Sequence, residues 1–475
     1  MLENWTIPIF EYGLFTIALH FTHYLSIAYP LRSRYLCIKN VKDKKMKQKK
    51  IAGLAMAMSI CGSVAMAQVA EKKGLTLGGY GEAVYSYNAY SNNPYRYMYP
   101  DRYSSAKGFG TVDLPHVVLM LGYDFGNGWS MNSEIEFEHG GTEVSIEVEG
   151  DEAIEIEHEV ERGGEVYLEQ FWIQKSFRPE ANIRAGMIIV PVGQLNTRHE
   201  PDKFFTVYRP EGESTILPST WHQIGISFWG RAGAIRYEAQ LLPGLNSRFF
   251  NNSNWISGGA ASPYEYTIAT SFAGGLRLDA YLMDNKLRLG TSGYVGSTSN
   301  DAYPPSVTKD GKTTGTTPEG LAVVATADAE FRGKHIVARV NSDFGYLHNA
   351  AAIGASNKNS DNSTFSPYQH TLVGQSAWTV GSEVGVDVLS YMQRKQDSRL
   401  FLFGRYEYYD SYVPAKGLSD YGWAGKHRVA AGINYYAWKG IVIKAEFSER
   451  FFASKYGYNN EPSLNLGITY TGFFK

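Results

Sequence analysis

The run LRLDAYLMDNKLRLG, residues 276–290, sets apolar Leu276, Leu278, Ala280 and Leu282 against Arg277, Asp279 and Tyr281 at every second position, turns at Asp284–Asn285, and resumes in strand-like sequence. Period two over a strand length means one greasy face and one charged face. The same alternation returns at 335–341, where Ile336, Ala338 and Val340 oppose His335, Arg339 and Asn341. From Gln68 onward no apolar run reaches the roughly 18 residues of a membrane helix, yet strand-length alternating segments follow one another to the end of the chain.

Counted outward from this hairpin, strands are expected at 75–87, 108–125, 129–148, 154–177, 183–190, 221–229, 234–242, 267–283 and 286–297. Seven more follow at 321–332, 335–347, 378–391, 399–410, 426–437, 441–452 and 462–474. The connections are asymmetric. Short turns such as FGNG at 125–128, PEAN at 179–182, RAG at 231–233 and WKG at 438–440 alternate with long polar loops near 88–106, 191–220, 243–265, 298–320, 348–377, 411–425 and 453–461. An even count of sixteen, short turns at one end and long loops at the other are the pattern of a closed antiparallel transmembrane β-barrel of the outer-membrane type, in which every backbone group is paired. A soluble sandwich or propeller would not need all its long loops at one end.

Energy assigns the faces. Arg184, Arg236, Arg277, Arg288, Arg339, Arg405, Arg428 and Lys444 share the polar face, and each would cost roughly 2–4 kcal/mol facing lipid near mid-membrane. They must line the lumen. Carboxylates on that face, among them Glu82, Glu134, Glu136, Glu238, Asp279, Asp328, Glu383, Glu407 and Glu446, outnumber them, so the lumen is mixed in charge and wettable. The last strand sets Leu464, Leu466, Ile468, Tyr470 and Phe474 outward and suits recognition by the barrel-assembly machinery, although Lys475 follows the terminal aromatic residue. Tyr406, Tyr408, Tyr435, Tyr470 and Phe474 suit interfacial girdles against outer-membrane lipid.

Composition agrees with this architecture. The chain has 475 residues, 14% aromatic and 19% charged, with 49 glycines and 34 tyrosines. Lys47, Lys49 and Lys50, the apolar run 51–64 and Ala65-Met66-Ala67 form a signal peptide over 46–67; a lipoprotein cleavage at Cys61 is disfavoured by the large Ile60 before it. Residues 1–45 are expected to be a non-native extension from an early start codon, the rival being a membrane anchor over Gly13–Leu31. The barrel domain is then 68–475. Nine of the 45 basic and three of the 47 acidic residues fall in 1–67, which leaves a net charge of about −8 and no case for nucleic acid. Cys37 and Cys61 are the only cysteines, so the barrel has no disulfide or thiolate metal site, and no cofactor is implied.

One loop stands out. Between Val190 and Trp221 lie Pro191, Pro201, Pro210 and Pro218 and many charges, in a connection long enough to be ordered and functional. Arg198, His199, Glu200, Asp202, Lys203, Arg209, Glu211 and Glu213 are the candidates to line a constriction or to pin the loop to the wall. GMIIVPVG (186–193), RHEP (198–201), YRP (208–210) and LPSTWHQIGISFWG (217–230) resemble the phosphate-selective porin O and P family. The resemblance implies a sixteen-stranded porin, often a homotrimer, with a loop folded into the pore after strand five. It also implies phosphate held by an arginine ladder and a lysine cluster, which do not map residue by residue onto this sequence.

The acidic hairpin TEVSIEVEGDEAIEIEHEVE, 142–161, offers Glu147, Glu149, Glu155 and Glu157 as weak Ca²⁺ ligands, without EF-hand spacing. No GxSxG or HExxH setting supports an enzyme, and 408 residues cannot supply the plug and 22 strands of a TonB-type receptor. The expected function is passive diffusion of small hydrophilic solutes or ions, anions such as phosphate being candidates; the alternative is a loop-plugged outer-membrane barrel serving as an adhesin, scaffold or divalent-cation-binding surface protein.

Overall fold

The computed structural model describes residues 74–150, 156–261, 266–299, 306–307, 313–314, 318–359, 370–392 and 398–474, and of 141–150, 156–165, 306–307 and 313–314 only the backbone. The expected extension and signal peptide, and Glu155, lie outside the described residues, as do the side chains of Glu147, Glu149 and Glu157.

Sixteen antiparallel strands close into one barrel. They are β1 Gly74–Asn88; β2, in two parts, Phe109–Asp113 and His116–Gly126; β3 Trp129–Gly150; β4 Ile156–Arg178; β5 Ala181–Ile189; β6 His222–Ala232; β7 Ile235–Pro243; and β8 Phe272–Leu282. Then come β9 Leu287–Ser297, β10 Leu321–Arg332, β11 Ile336–His348, β12 Ser376–Asp387, β13 Arg399–Val413, β14 Gly425–Trp438, β15 Ile441–Phe451 and β16 Glu461–Phe473. Each pairs with its sequence neighbour, and β1 pairs with β16 from Gly78↔Phe473 to Asn88↔Ser463, which removes both sheet edges. No helix among the described residues is long and apolar enough to cross a membrane.

The barrel is inverted relative to a soluble protein. Leu119, Ile226, Leu276, Leu278, Val340, Phe447, Leu466 and Ile468 are exposed on the outer face, while Arg277, Asp328, Glu383, Arg428, Lys444 and Glu446 are buried within. An apolar band of this extent has no place in water; it is the surface of a transmembrane barrel.

Two strands differ from an uninterrupted reading. The expected strand 108–125 breaks at Leu114-Pro115, because Pro115 has no N–H for the ladder. Its halves pair with one strand, Val84↔Asp113 above and Gly81↔Val117 below. One residue is thus extra on the β2 side, and the bulge flips the inward positions from odd to even numbers. In β4, Glu134↔Gln170 is followed by Ile135↔Leu168, so Glu169 is a bulge residue. Glu169 and Gln170 are consecutive yet both buried.

Candidate functional site: a loop across the lumen

After β5 the chain enters the barrel. Gly193, at φ +84°, takes a backbone form that favours glycine, and a Cβ there would strike the Glu213 carboxylate at 2.1 Å. That carboxylate accepts from the backbone N–H groups of Gln194 (3.0 Å), Leu195 (2.8 Å) and Asn196 (3.3 Å). Asn196 ties the neck of the loop by donating to the carbonyls of Val190 and Trp221 at 2.6 and 2.9 Å. Side chains within the loop thus brace its entry and exit, and the wall adds to the entry, where Arg277 donates to the Gly193 carbonyl at 2.7 Å and the Gly193 N–H donates to the Ser292 hydroxyl at 3.0 Å.

The middle of the loop is held from the wall. Lys444 of β15 donates to the carbonyls of Pro201 (2.6 Å), Phe204 (3.1 Å) and Thr206 (2.8 Å). Three carboxylates take its backbone N–H groups: Glu383 from Phe205 at 3.2 Å, Glu446 from Val207 at 2.7 Å and Glu407 from Gly212 at 3.1 Å. These exchanges replace the water that an unfolded loop would keep, which a buried backbone requires. Phe205 packs on Phe401, Phe403 and Val337, inward-facing apolar residues with no reason to be there in an empty pore, and the absence of a side chain at Gly385 leaves room for its ring.

The eight constriction candidates divide by role. Arg198 pairs with Glu330 of β10 at 2.5 Å and His199 meets Glu169 of β4 at 3.1 Å, so adjacent loop residues reach strands six positions apart in the barrel. Glu211, at the start of the short helix α1 Glu211–Ile216, is clasped by Arg450 at 2.6 Å, Arg428 at 3.1 Å and the Tyr409 hydroxyl at 2.6 Å. Arg209 donates to the Ser219 hydroxyl at 3.3 Å. These four and Glu213 pin the loop. Asp202 and Lys203 pair with each other at 2.9 Å and keep about 30% of their side-chain surface open (28% and 31%), and Glu200 is half-buried.

The eight basic wall candidates all lie on the inner face. Arg277 and Arg288 share Asp279 and Asp328 at 2.5–2.9 Å. Arg339 bridges Glu330 (2.9 Å) and Glu383; Arg405 pairs with Glu407 (2.9 Å), and Arg428 with Glu407 (3.2 Å) and Glu446. Arg236 pairs with Glu238 at 2.6 Å, and Arg184 lies over the faces of Trp172 and Trp229 at 4.9 and 5.4 Å. Buried pairs of this kind repay their desolvation without much surplus, but they fix side-chain positions and cancel the positive field.

Other loops fill the mouth on the side of β5 to β12. Trp221, Ile216 and Val190 join Leu245, Phe250, Trp255 and Ile256 of the loop after β7 and Ile353 of α2 Ala350–Lys358 in one buried apolar cluster against Tyr294, Val324 and Leu347. Sequence reading missed this inner core. Its signal was present in the apolar residues of loops otherwise rich in Asn, Ser and Gly.

The two loop glutamates respond to pH in opposite senses. Burial pushes Glu213 up to about 7, helped by Asp328 and resisted by the three backbone N–H donors. Burial would also raise Glu211, but the guanidinium groups of Arg450 and Arg428 hold it well below the usual carboxylate range. A raised carboxyl contributes most below its unfolded value of about 4.3, and that contribution is lost as pH rises toward 7; a depressed one contributes fully above about 4.3 and loses it in stronger acid. Loop docking is therefore expected to be tightest near pH 4–5, to weaken by pH 7, and to weaken again in strong acid. Protease protection of residues 190–221 across pH reads this directly, and Glu213→Gln should abolish the change between pH 5 and 7 alone. Protection that is flat through that interval in the unaltered protein would contradict it.

No family model matches the chain. Over 396 residues it is 27% identical to an uncharacterized protein of Aquifex aeolicus (strain VF5), covering 81% of this chain and 77% of that one. Among solved structures it is similar to the anion-selective porin from Comamonas acidovorans (TM-score 0.48, 10% identity, 84% of this chain and 100% of that one). It is also similar to OmpF of Salmonella typhi (TM-score 0.46, 11% identity, 85% and 98%) and to the outer membrane channel DcaP of Acinetobacter baumannii (TM-score 0.43, 11% identity, 84% and 97%).

Proposed function

We propose that this chain is an outer-membrane porin of a Gram-negative bacterium, with its short turns and both termini at the periplasmic end, that lets small hydrophilic solutes diffuse past the loop 190–221. The observation that carries this reading is a charged interior inside an apolar outer band, crossed by a loop whose backbone is held by wall side chains rather than by a neighbouring domain. Such a loop sets pore radius and local charge, the two determinants of what passes. Solutes would travel past Asp202, Lys203 and Glu200. Because the wall arginines are matched by carboxylates, weak charge preference is expected rather than a phosphate filter.

Reversal potentials in asymmetric KCl test this. A shift close to zero, with no block by phosphate at millimolar concentration, is the expected result. Strong anion selectivity with phosphate block would favour the phosphate reading that the resemblance implies. The apolar core in the mouth favours one other reading, a barrel plugged by its loops and used as an adhesin or scaffold; that protein would insert and show no channels.

A further inference from the structure

The contact between the loop and β4 has the makings of a metal site. His199, Glu134 and Glu169 each offer one ligand atom, and these atoms lie within 4.8 Å of one another. All three residues are buried, at 7%, 3% and 0% exposure. The Nδ1 of His199 is 3.0 Å from the carbonyl oxygen of Asn196; a carbonyl only accepts, so Nδ1 carries the proton and Nε2 points its lone pair the other way. It points at Glu169. Nε2 and Glu169 Oε1 face each other at 3.1 Å, and neither atom has a hydrogen-bond partner among the described residues. Two buried acceptors at that separation repel unless a cation lies between them.

The remaining oxygens are already held. Tyr80 donates its hydroxyl to Glu169 Oε2 at 3.0 Å, and Gln170 and Asn132 donate to the two oxygens of Glu134 at 2.7 and 3.3 Å. Neutral donors that orient carboxylates, and a carbonyl that fixes an imidazole tautomer, are the supports that metal ligands ordinarily have. The adjacent cation, Arg209, leaves its Nε and Nη2 unpartnered and bonds Ser219 instead. The β4 bulge gives the site its shape, since Glu169 and Gln170 both turn inward only because one residue is extra there.

We infer that His199, Glu134 and Glu169 bind a divalent transition-metal ion that clips the lumen loop to the barrel wall. One imidazole and two carboxylates suit Zn²⁺, with water completing the shell; ligand bonds of about 2.0–2.2 Å place neighbouring donor atoms roughly 3–4 Å apart, and Nε2 and Oε1 stand at 3.1 Å. The rival occupant of the gap is a proton, with His199 as imidazolium.

Zn²⁺ titrated into the folded, chelator-treated protein in detergent, followed by calorimetry, separates the two without reference to conductance. One Zn²⁺ per chain is expected at this site. Glu169→Gln and His199→Ala should weaken it by about 100-fold or more, and Tyr80→Phe, which removes only a support, by about tenfold. Retention of heat-modifiable migration shows that each variant folds. Absence of binding by the unaltered protein, binding indifferent to both ligand substitutions, or loss on His116→Ala instead, which would move the ion to the neighbouring His116, Glu136 and Glu138 group, would overturn the assignment.

Discussion

Lys444→Met is expected to release the loop from the wall while leaving the barrel closed. The ammonium group is 1% exposed at the residue level and donates to three loop carbonyls. Methionine fills similar volume but donates nothing, so Pro201, Phe204 and Thr206 would each present an unpaired buried acceptor, at about 1–3 kcal/mol apiece. Glu446 and Glu383 would lose a neighbouring positive charge as well. A loss of roughly 3–5 kcal/mol is the ordinary consequence of removing one member of a buried charged network. The β14–β15–β16 ladder does not pass through the Lys444 side chain, and heat-modifiable migration should survive. Limited proteolysis should then cut within 198–210 where the unaltered protein resists. Equal resistance in both proteins would show that the ammonium does not hold the loop.

Leu278→Arg should act on the barrel instead. Leu278 is 53% exposed on the outer face of β8, between Arg277 and Asp279, which are buried within. An arginine in its place costs roughly 2–4 kcal/mol near mid-membrane, a large share of the stability of a folded domain. Folding into lipid vesicles should fall sharply, with little folded band on a heat-modifiability gel. The same substitution would be nearly harmless if that face met water or another protein sheet. Normal folding of the variant would therefore remove the reason for placing this band in lipid.

Much of this architecture was legible because a strand alternates strictly and a charge in hydrocarbon is expensive. Arg277 against Leu276 and Leu278 settles a face on its own, and the turns at Gly126–Gly128 and Met283–Asn285, where backbone φ is positive, announce themselves by residue type. Register slips were harder. In β4 the outward residues run Val166, Leu168, then Phe171, Ile173; that break in parity marks the bulge, and with it Glu169, which was absent from the candidate residues. In β2 the marker was Pro115.

The inward apolar residues were illegible for a different reason. Around Phe401 and Phe403 both faces of β13 are apolar, so alternation says nothing, and only the arrival of Phe205 from almost two hundred residues away explains them. The loop candidates show the same limit. Their charges identified them as a group, but which ones pin the loop depends on what the wall presents: Glu330 opposite Arg198, Arg450 opposite Glu211, while Asp202 and Lys203 pair with each other. A single chain does not state such pairings.

The most direct test is single-channel conductance in planar bilayers of the unaltered protein and of a form with residues 196–216 excised. Discrete, ohmic channels are expected from the first and a several-fold larger conductance from the second, in which the Phe205 ring, the Lys203–Asp202 pair and the Glu211 clasp are gone. Folded, heat-modifiable protein that inserts without conducting, or channels of equal size with and without the loop, would contradict that expectation.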